Sequence, residues 1–205
     1  MPGVKCVLLG EAATGKTTLA SRFVKGAFSE FTESTIGAAF LTKSIKLDDR
    51  AEAYRLELWD TAGQERFNSL APMYYRAAKI VLVCYDITSR DAFVRALEWI
   101  AQLQKDGPAG CVLCLVGLKA DLASKREVPE QEASAFALDS ANGVHVFMET
   151  SAKTGFNVDR LFESAVRRLP NDAPLLAPAP VTEIAAHVAR EPKNGDDQGS
   201  SGCCR

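Results

Sequence analysis

Residues 10–17 have the sequence Gly10-Glu-Ala-Ala-Thr-Gly15-Lys16-Thr17, which matches the pattern GxxxxGK[ST]. An apolar run at residues 4–9, typical of a short buried strand, leads directly into it. After it, Leu19 and Phe23 share one face of a predicted helix that Gly26 can end. Only about 0.006 chance matches to the pattern are expected from this composition. The stretch therefore predicts a strand, a glycine-rich turn and a helix, and with them an α/β fold.

The chemistry of this stretch points to a bound phosphate. Glycines let backbone N–H groups approach phosphate oxygens, and a helix N-terminus adds positive partial charge. Lys16 is expected to neutralise the β- and γ-phosphates of a nucleotide, and the Thr17 hydroxyl is expected to bind Mg²⁺. A glycine turn that merely ends a strand is the alternative. The stretch alone does not distinguish ATPases, kinases and GTPases.

A second motif follows another predicted strand, at residues 54–60. Asp60 ends this strand and Thr-Ala-Gly63-Gln64 follows. An aspartate at the carboxyl end of a neighbouring strand can hold Mg²⁺, usually through water. The Gly63 N–H can approach a γ-phosphate, and Gln64 can orient water for in-line attack. Taken separately, Asp60 can be a helix cap and Gln64 a solvated amide, but their joint appearance favours a nucleotide-hydrolysing site.

Strand-like and helix-period segments alternate through about residue 170, which is typical of βαβ units around a largely parallel sheet. Residues 40–47 and 54–60 predict an antiparallel hairpin. Further strands are predicted at residues 80–85, 111–116 and 144–148. Helices are predicted after a Ser89 cap, from Pro129 towards Leu138, and along the apolar stripe from Val158 to Leu169.

Composition excludes several classes of protein. The 24 Lys and Arg against 26 Asp and Glu argue against a nucleic-acid binder, and two histidines leave little for a His-rich metal site. The longest apolar runs are far shorter than a membrane span, and no signal peptide is evident, so we expect a cytosolic domain without disulfides. Cys111 and Cys114 have CxxC spacing, but i and i+3 in a strand face opposite sides, which favours core packing over zinc.

Residues 4–170 resemble a Ras-superfamily small GTPase. The stretches 59–67 (WDTAGQERF), 74–76 (YYR) and 85–88 (YDIT) resemble the Rab branch. The stretches 34–40 (STIGAAF), 69–74 (SLAPMY) and 147–153 (FMETSAK) are similar to the Rab-five subgroup of endosomal Rabs. The resemblance implies a P-loop NTPase fold with a six-stranded, mostly parallel sheet flanked by five helices. It also implies GTP hydrolysis and control of vesicle traffic and fusion at early endosomes.

The resemblance assigns roles to individual residues. Thr35 becomes the switch-one threonine that contacts Mg²⁺ and the γ-phosphate, and Asp121 pairs with guanine N1 and N2. The backbone of Ser151, Ala152 and Lys153 supports guanine O6. The expected catalytic residues are Gln64, Lys16 and Thr35, and the expected Mg²⁺ ligands are Thr17, Thr35 and Asp60. The expected nucleotide-binding residues are Gly10, Glu11, Ala12, Ala13, Thr14, Gly15, Lys16, Thr17, Thr18, Thr35, Asp60, Gly63, Leu118, Lys119, Asp121, Ser151, Ala152 and Lys153.

The sequence departs from the family where its guanine motif NKxD is expected. Leu118 replaces the asparagine whose amide meets guanine N7 and ties this loop to the phosphate loop. Leaving those groups unpaired is expected to lower the affinity for guanine nucleotides by about 5- to 150-fold. The hypothesis is that the site still binds guanine nucleotides but exchanges them rapidly. The alternative is that neighbouring groups compensate for Leu118. We also expect a departure at Ala78, where the family usually has glycine.

The resemblance also implies partners. Ile36, Phe40, Trp59 and Tyr74 match positions that bind GTP-dependent effectors, although aromatics packed at the sheet edge are the alternative. The other expected partners of this monomer are an exchange factor, a GAP, and a GDP-dissociation inhibitor or escort protein. No arginine finger is evident, so hydrolysis without a GAP is expected to be slow.

A change of composition after Pro170 predicts a flexible tail over residues 171–205, separate from a GTPase domain at residues 1–170. Cys203 and Cys204 near its end resemble Rab double-geranylgeranyl sites. Two lipid chains would hold the protein on the cytoplasmic face of endosomal membranes, from which it cycles to the cytosol. A non-catalytic, lipid-anchored binding module is the competing function. A P-loop small-molecule kinase is a third, but it lacks a lid or substrate domain.

Overall fold

The computed structural model describes residues 3–50, 53–63 and 71–170. Six strands in these ranges form one sheet with the order β2-β3-β1-β4-β5-β6. They are β1 (Gly3–Leu9), β2 (Ala38–Lys46), β3 (Ala53–Thr61), β4 (Ile80–Asp86), β5 (Val112–Leu118) and β6 (Val146–Glu149). Every neighbouring pair is parallel except the β2–β3 hairpin. The predicted α/β fold with a mostly parallel sheet is confirmed.

Five α-helices flank the sheet in the described part of the chain. They are α1 (Lys16–Lys25), α2 (Ala71–Tyr75), α3 (Arg90–Asp106), α4 (Glu130–Leu138) and α5 (Val158–Arg167). Ser89 caps α3 as predicted, because its Oγ accepts the Ala92 N–H at 3.2 Å. Pro129 lies just before α4 rather than in its first turn, since its ψ of 135° is extended. None of the helices in these ranges is long and apolar enough to cross a membrane.

The core has two layers because side chains alternate along each strand. In β4, Ile80, Leu82 and Cys84 face the layer that contains α1 and α5, where Phe23 and Phe162 stack at 3.7 Å between ring centroids. The alternating β4 residues face the layer that contains α3. Cys114 and Cys111 likewise belong to opposite layers, which confirms the packing interpretation of the CxxC spacing. Their thiols are free, although Cys111 is only half-buried.

The carboxyl ends of the parallel strands lie at one edge of the sheet. The phosphate loop follows β1 there, Asp60 is the penultimate residue of β3, Gly63 follows β3, and Leu118 ends β5. In open α/β sheets this edge is where ligands bind, because the loops after neighbouring strands converge on it. The fold therefore brings the motifs of the sequence together at a single place.

The sequence predicted that residue 78 is the position where the family usually has glycine, and this prediction is wrong by one residue. Ala77 has a φ of 59°, in the left-handed region that favours glycine. Ala78 has no such backbone conformation and is only 2% exposed, packed in the α3 layer of the core. The strained position is therefore Ala77, and a side chain at Ala78 contributes to packing.

We expect Ala77→Gly to raise the free energy of unfolding by about 0.5–1 kcal/mol, because glycine adopts a positive φ without steric cost. The matched variant Ala78→Gly should lower it by about 1 kcal/mol, since it removes a buried methyl group. Urea denaturation followed by circular dichroism measures both values. Equal effects of the two substitutions would contradict the assignment of strain to Ala77.

Candidate functional site

A cavity of about 420 Å³ opens at the carboxyl edge of the sheet. Its walls come from the phosphate loop, the segment 28–35, the end of β3, the loop after β5 and the loop after β6. This volume is within the usual range for sites that bind small molecules and cofactors. The cavity brings together most of the predicted site residues: Ala12, Ala13, Gly15, Lys16, Thr17, Thr18, Thr35, Gly63, Leu118, Lys119, Asp121, Ala152 and Lys153 line it.

The phosphate loop is held by a close backbone approach and a buried cation. Gly10 has a φ of 139°, and a Cβ there would lie 2.2 Å from the Cys84 carbonyl oxygen, so only glycine fits. The Lys16 Nζ donates hydrogen bonds to the carbonyl oxygens of Gly10 at 2.9 Å and Glu11 at 2.7 Å. The Thr14 hydroxyl donates to the Glu11 carbonyl at 2.9 Å. Gly10, Glu11 and Thr14 do not line the cavity themselves, so they brace the loop from behind its wall.

Three oxygen-bearing side chains converge beside the loop. The hydroxyl oxygens of Thr17 and Thr35 are 2.7 Å apart, and the Thr35 hydroxyl donates to Asp60 Oδ2 at 3.4 Å. Asp60 is fully buried, and its Oδ1 has no hydrogen-bond partner among the described residues. An unsatisfied carboxylate oxygen beside two hydroxyls is the hard oxygen set that Mg²⁺ prefers. The predicted metal ligands therefore fit a divalent cation.

Burial disfavours the charged forms of both central residues. It lowers the pKa of Lys16, an effect partly opposed by the nearby Cys84, Asp60 and Glu11. It raises the pKa of Asp60, partly opposed by a hydrogen bond with Thr17, the charge of Lys16 and a hydrogen bond with Thr35. A phosphate near the ammonium group and a cation near the carboxylate would each stabilise the charged form.

The segment after β3 lies directly against the phosphate loop. A Cβ on Gly63 would be 2.4 Å from the Glu11 carbonyl carbon and 2.5 Å from the Ala12 nitrogen, so a side chain there would displace backbone. The Ala62 N–H also donates to the Gly37 carbonyl at 2.8 Å, which joins the segment after β3 to the loop before β2 that carries Thr35. Gln64, Cys203, Cys204 and the predicted tail 171–205 lie outside the described residues.

At the other end of the cavity, the loops after β5 and β6 support each other. The Ser151 hydroxyl donates to Asp121 Oδ1 at 2.5 Å, and the Ala120 N–H donates to the Thr150 carbonyl at 3.0 Å. The first bond fixes the Asp121 carboxylate, which the resemblance assigns to guanine. Ser151 is itself buried, so its hydroxyl acts here as a positioning group.

The tie between the base loop and the phosphate loop does not depend on residue 118. The Lys119 Nζ donates to the Ala13 carbonyl at 2.9 Å and pairs with Asp86 Oδ2 at 2.6 Å. Asp86 is in turn fixed by Thr88, whose backbone N–H and hydroxyl both donate to Oδ1. Lys119 therefore supplies one of the two functions that the expected asparagine would have had.

Leu118 contributes only methyl groups to the cavity wall. It is the last residue of β5, is 3% exposed and packs in the α1–α5 layer of the core. A Cβ on Gly15 would lie 3.7 Å from Leu118 Cδ1, so the leucine lies between the phosphate loop and the base loop. No polar group of this side chain can replace the missing amide.

The cavity also includes residues that the motifs did not predict. Phe28, Glu30, Thr61 and Leu122 line it, and Lys153 Nζ pairs with Glu30 Oε1 at 3.1 Å across its rim. The Thr61 hydroxyl donates to the Leu8 carbonyl at 2.6 Å, so it fixes β3 to β1. The sequence signal for Phe28 was weak, because it is one of two phenylalanines, with Phe31, in the segment just after the Gly26 that ends α1.

The predicted effector residues form a connected aromatic surface. Phe40 and Trp59 pair across the hairpin with ring centroids 5.3 Å apart, and the Tyr74 ring is 6.4 Å from Trp59. Phe40 is 52% exposed and Ile36 is 80% exposed, whereas Trp59 packs against the core. The packing alternative holds for Trp59, which is packed at the sheet. Phe40 and Ile36 are exposed and so are available to a partner. Effector binding itself stays a prediction.

A glycine-rich loop between β1 and α1, a buried lysine on the loop and a carboxylate at the end of β3 define a P-loop nucleotide-binding protein. The comparison with protein families is consistent with this class, since residues 5–171 match the model of the Ras family. The chain belongs to the Ras family of small GTPases. Proteins of this family bind GTP or GDP with Mg²⁺ and interact with exchange factors, GAPs and effectors.

We expect Leu118→Asn to slow GDP dissociation by about 5- to 150-fold, because an amide would pair a polar group of the base that leucine leaves unpaired. Lys119 already ties the loops, so the gain should come from the base contact. Release of a fluorescent GDP analogue measures the rate in the native chain and the variant. Equal rates would contradict the hypothesis of fast exchange.

Proposed function

We propose that this Ras-family chain is a Rab-type switch that binds GTP, hydrolyses it to GDP and regulates vesicle traffic and fusion at early endosomes. The observation that carries the switch is the Thr35 hydroxyl, which contacts Thr17 and Asp60. This contact brings the loop before β2 onto the phosphate site, so the position of the loop can depend on the γ-phosphate. The Rab assignment and its endosomal role rest on the motif stretches described above.

Hydrolysis requires a positioned water molecule and a neutralised phosphate group. Water attacks the γ-phosphorus as the bond to the β–γ bridging oxygen breaks, and GDP and phosphate are formed. Lys16 stabilises the charge of the phosphates, the Gly63 N–H contacts the γ-phosphate, and Gln64 orients the water. Mg²⁺ held by Thr17, Thr35 and Asp60 would neutralise negative charge on the phosphates.

The proposal includes slow hydrolysis in the absence of a GAP. No arginine is among the cavity-lining residues in the ranges described. An arginine inserted by a GAP would supply the missing positive charge and add about 10³–10⁵ in rate. The switch would therefore stay in its GTP state until a GAP binds.

We expect Gln64→Leu to reduce single-turnover GTP hydrolysis by at least about tenfold, because the attacking water loses its orienting amide. GDP affinity should stay near that of the native chain, since Gln64 contacts neither the base nor the α- and β-phosphates in the proposed mechanism. The measurement is phosphate release from preloaded protein. Unchanged hydrolysis would reject the role of Gln64.

The effectors of this proposal bind the surface of Ile36, Phe40, Trp59 and Tyr74. Phe40 and Trp59 lie on the hairpin that joins the two segments next to the γ-phosphate, so their surroundings depend on the nucleotide state. An exchange factor would reload the monomer with GTP, and a GDP-dissociation inhibitor or escort protein would cover its lipids.

Membrane attachment in this proposal depends on lipids at Cys203 and Cys204. From Pro170 onward the sequence has three basic and five acidic residues, so no polybasic segment is available to bind anionic lipids. Two geranylgeranyl chains provide the two signals that stable anchoring needs, whereas one chain binds weakly and reversibly. The protein would then cycle between the cytoplasmic face of endosomes and the cytosol.

We expect the membrane-bound fraction in cells to carry two geranylgeranyl groups, and Cys203→Ser with Cys204→Ser to leave the protein in the cytosol. Each single substitution should leave a weakly bound protein, because one chain remains. Intact mass spectrometry of the membrane fraction gives the number of lipids. Membrane protein with unmodified cysteines would overturn this part of the proposal.

A non-catalytic, lipid-anchored binding module is the second candidate, and the apolar wall at Leu118 favours it. The two functions differ in the nucleotide that the protein retains. We expect GDP or GTP in protein purified rapidly with Mg²⁺, identified by chromatography of the denatured supernatant. Absence of nucleotide, together with no binding of added GTP, would favour the binding module.

A further inference from the structure

The apolar side chain of Leu118 affects which bases the cavity can distinguish. This side chain lies beside Gly15 of the phosphate loop, three residues before Asp121 in the chain. Both Leu118 and Asp121 line the same cavity, whose phosphate end is at Lys16 and Thr17. Leu118 therefore lies on the phosphate side of Asp121.

The shape of guanine determines which atoms can face each residue. If the Asp121 carboxylate pairs with N1–H and the N2 amino group, then O6, N7 and C8 follow in that order along the ring towards N9. The N9 atom carries the ribose and the phosphates, so N7 and C8 lie on the phosphate side. In this orientation of the base, Leu118, beside Gly15 of the phosphate loop, would face this edge.

Both lysine side chains in the loops after β5 and β6 that line the cavity are already engaged. The Lys119 Nζ bonds the Ala13 carbonyl and pairs with Asp86, and the Lys153 Nζ pairs with Glu30 at the rim. Leu122 adds a second apolar side chain to the lining. A nitrogen acceptor at purine position 7 would thus meet methyl groups, whereas a C–H group at that position would lose nothing.

We propose that Leu118 makes the base pocket indifferent to the atom at purine position 7, so that this chain accepts 7-deazaguanine nucleotides as well as guanine nucleotides. This inference rests on the proposed function, because it needs a guanine-type base in the cavity. It goes further by naming a substrate class and the residue that determines it. N1, N2 and O6 remain recognised, so adenine nucleotides stay excluded.

The test compares GDP with 7-deaza-GDP on the full chain in buffer with Mg²⁺. Each nucleotide competes with a fluorescent GDP analogue, which gives the ratio of the two dissociation constants. In the native chain, 7-deaza-GDP should bind between equally and about tenfold more tightly than GDP, since burying an unpaired N7 is unfavourable. In Leu118→Asn, GDP should bind at least about fivefold more tightly than 7-deaza-GDP.

Two further variants separate the base contact from effects on folding. Leu138→Asn places the same amide on α4, at an exposed position that does not line the cavity, and its affinity ratio should equal that of the native chain. Leu118→Met keeps an apolar side chain of similar volume and should also keep the native ratio. If Leu118→Asn does not fold, the native chain and Leu118→Met still give the ratio on which the proposal depends.

The outcomes distinguish the inference from the function on which it rests. A native chain that prefers GDP over 7-deaza-GDP by more than fivefold would overturn the inference and leave the GTP switch intact. An unchanged ratio in well-folded Leu118→Asn would show that residue 118 does not determine it, which also overturns the inference. Failure of both nucleotides to bind the native chain would overturn the proposed function itself.

Discussion

The ammonium group of Lys16 is buried inside the loop that it stabilises, and the rest of the site depends on this arrangement. Its hydrogen bonds to the Gly10 and Glu11 carbonyls hold the loop around the lysine but add no opposite formal charge. Burial therefore still lowers its pKa, since carbonyl groups replace only part of the lost hydration. An anion bound in the loop would therefore stabilise the charged form of its central lysine.

Asp60 is a buried negative charge at the same site as the buried positive charge of Lys16. It is fully buried, one of its oxygens has no partner in the described part of the chain, and burial raises its pKa. The Thr35 hydroxyl donates to the other oxygen of Asp60 at 3.4 Å, and the Thr17 hydroxyl in turn contacts Thr35 at 2.7 Å. A buried cation and a buried anion, each incompletely compensated, favour a ligand that carries both charges. A magnesium–phosphate pair has this property, and in the proposed switch Thr35 would couple its presence to the position of the loop before β2.

The sheet and the phosphate end of the cavity could be predicted from the sequence because their signals are local. Runs such as residues 80–85 bury both faces of their strand. The glycine loop directly follows β1, and Asp60 lies near the end of β3. The Lys119–Ala13 bond joins residues 106 positions apart, so no local pattern predicted it. The strain at Ala77 was missed for another reason, since sequence similarity located the glycine position one residue too late, whereas the backbone φ identifies it directly.

Residue 118 belongs to the core and to the cavity at once, and this double position explains how leucine can be tolerated there. Its methyl groups extend the α1–α5 layer of the core, where an amide would lose apolar burial. The Lys119 and Ser151 contacts hold the base loop independently of it. Leucine therefore stabilises the folded chain, whereas under the proposed function it would lack a contact to the base, so we expect stability and nucleotide affinity to change in opposite directions at this position. A fold that relies less on bound nucleotide for its stability can release that nucleotide without unfolding.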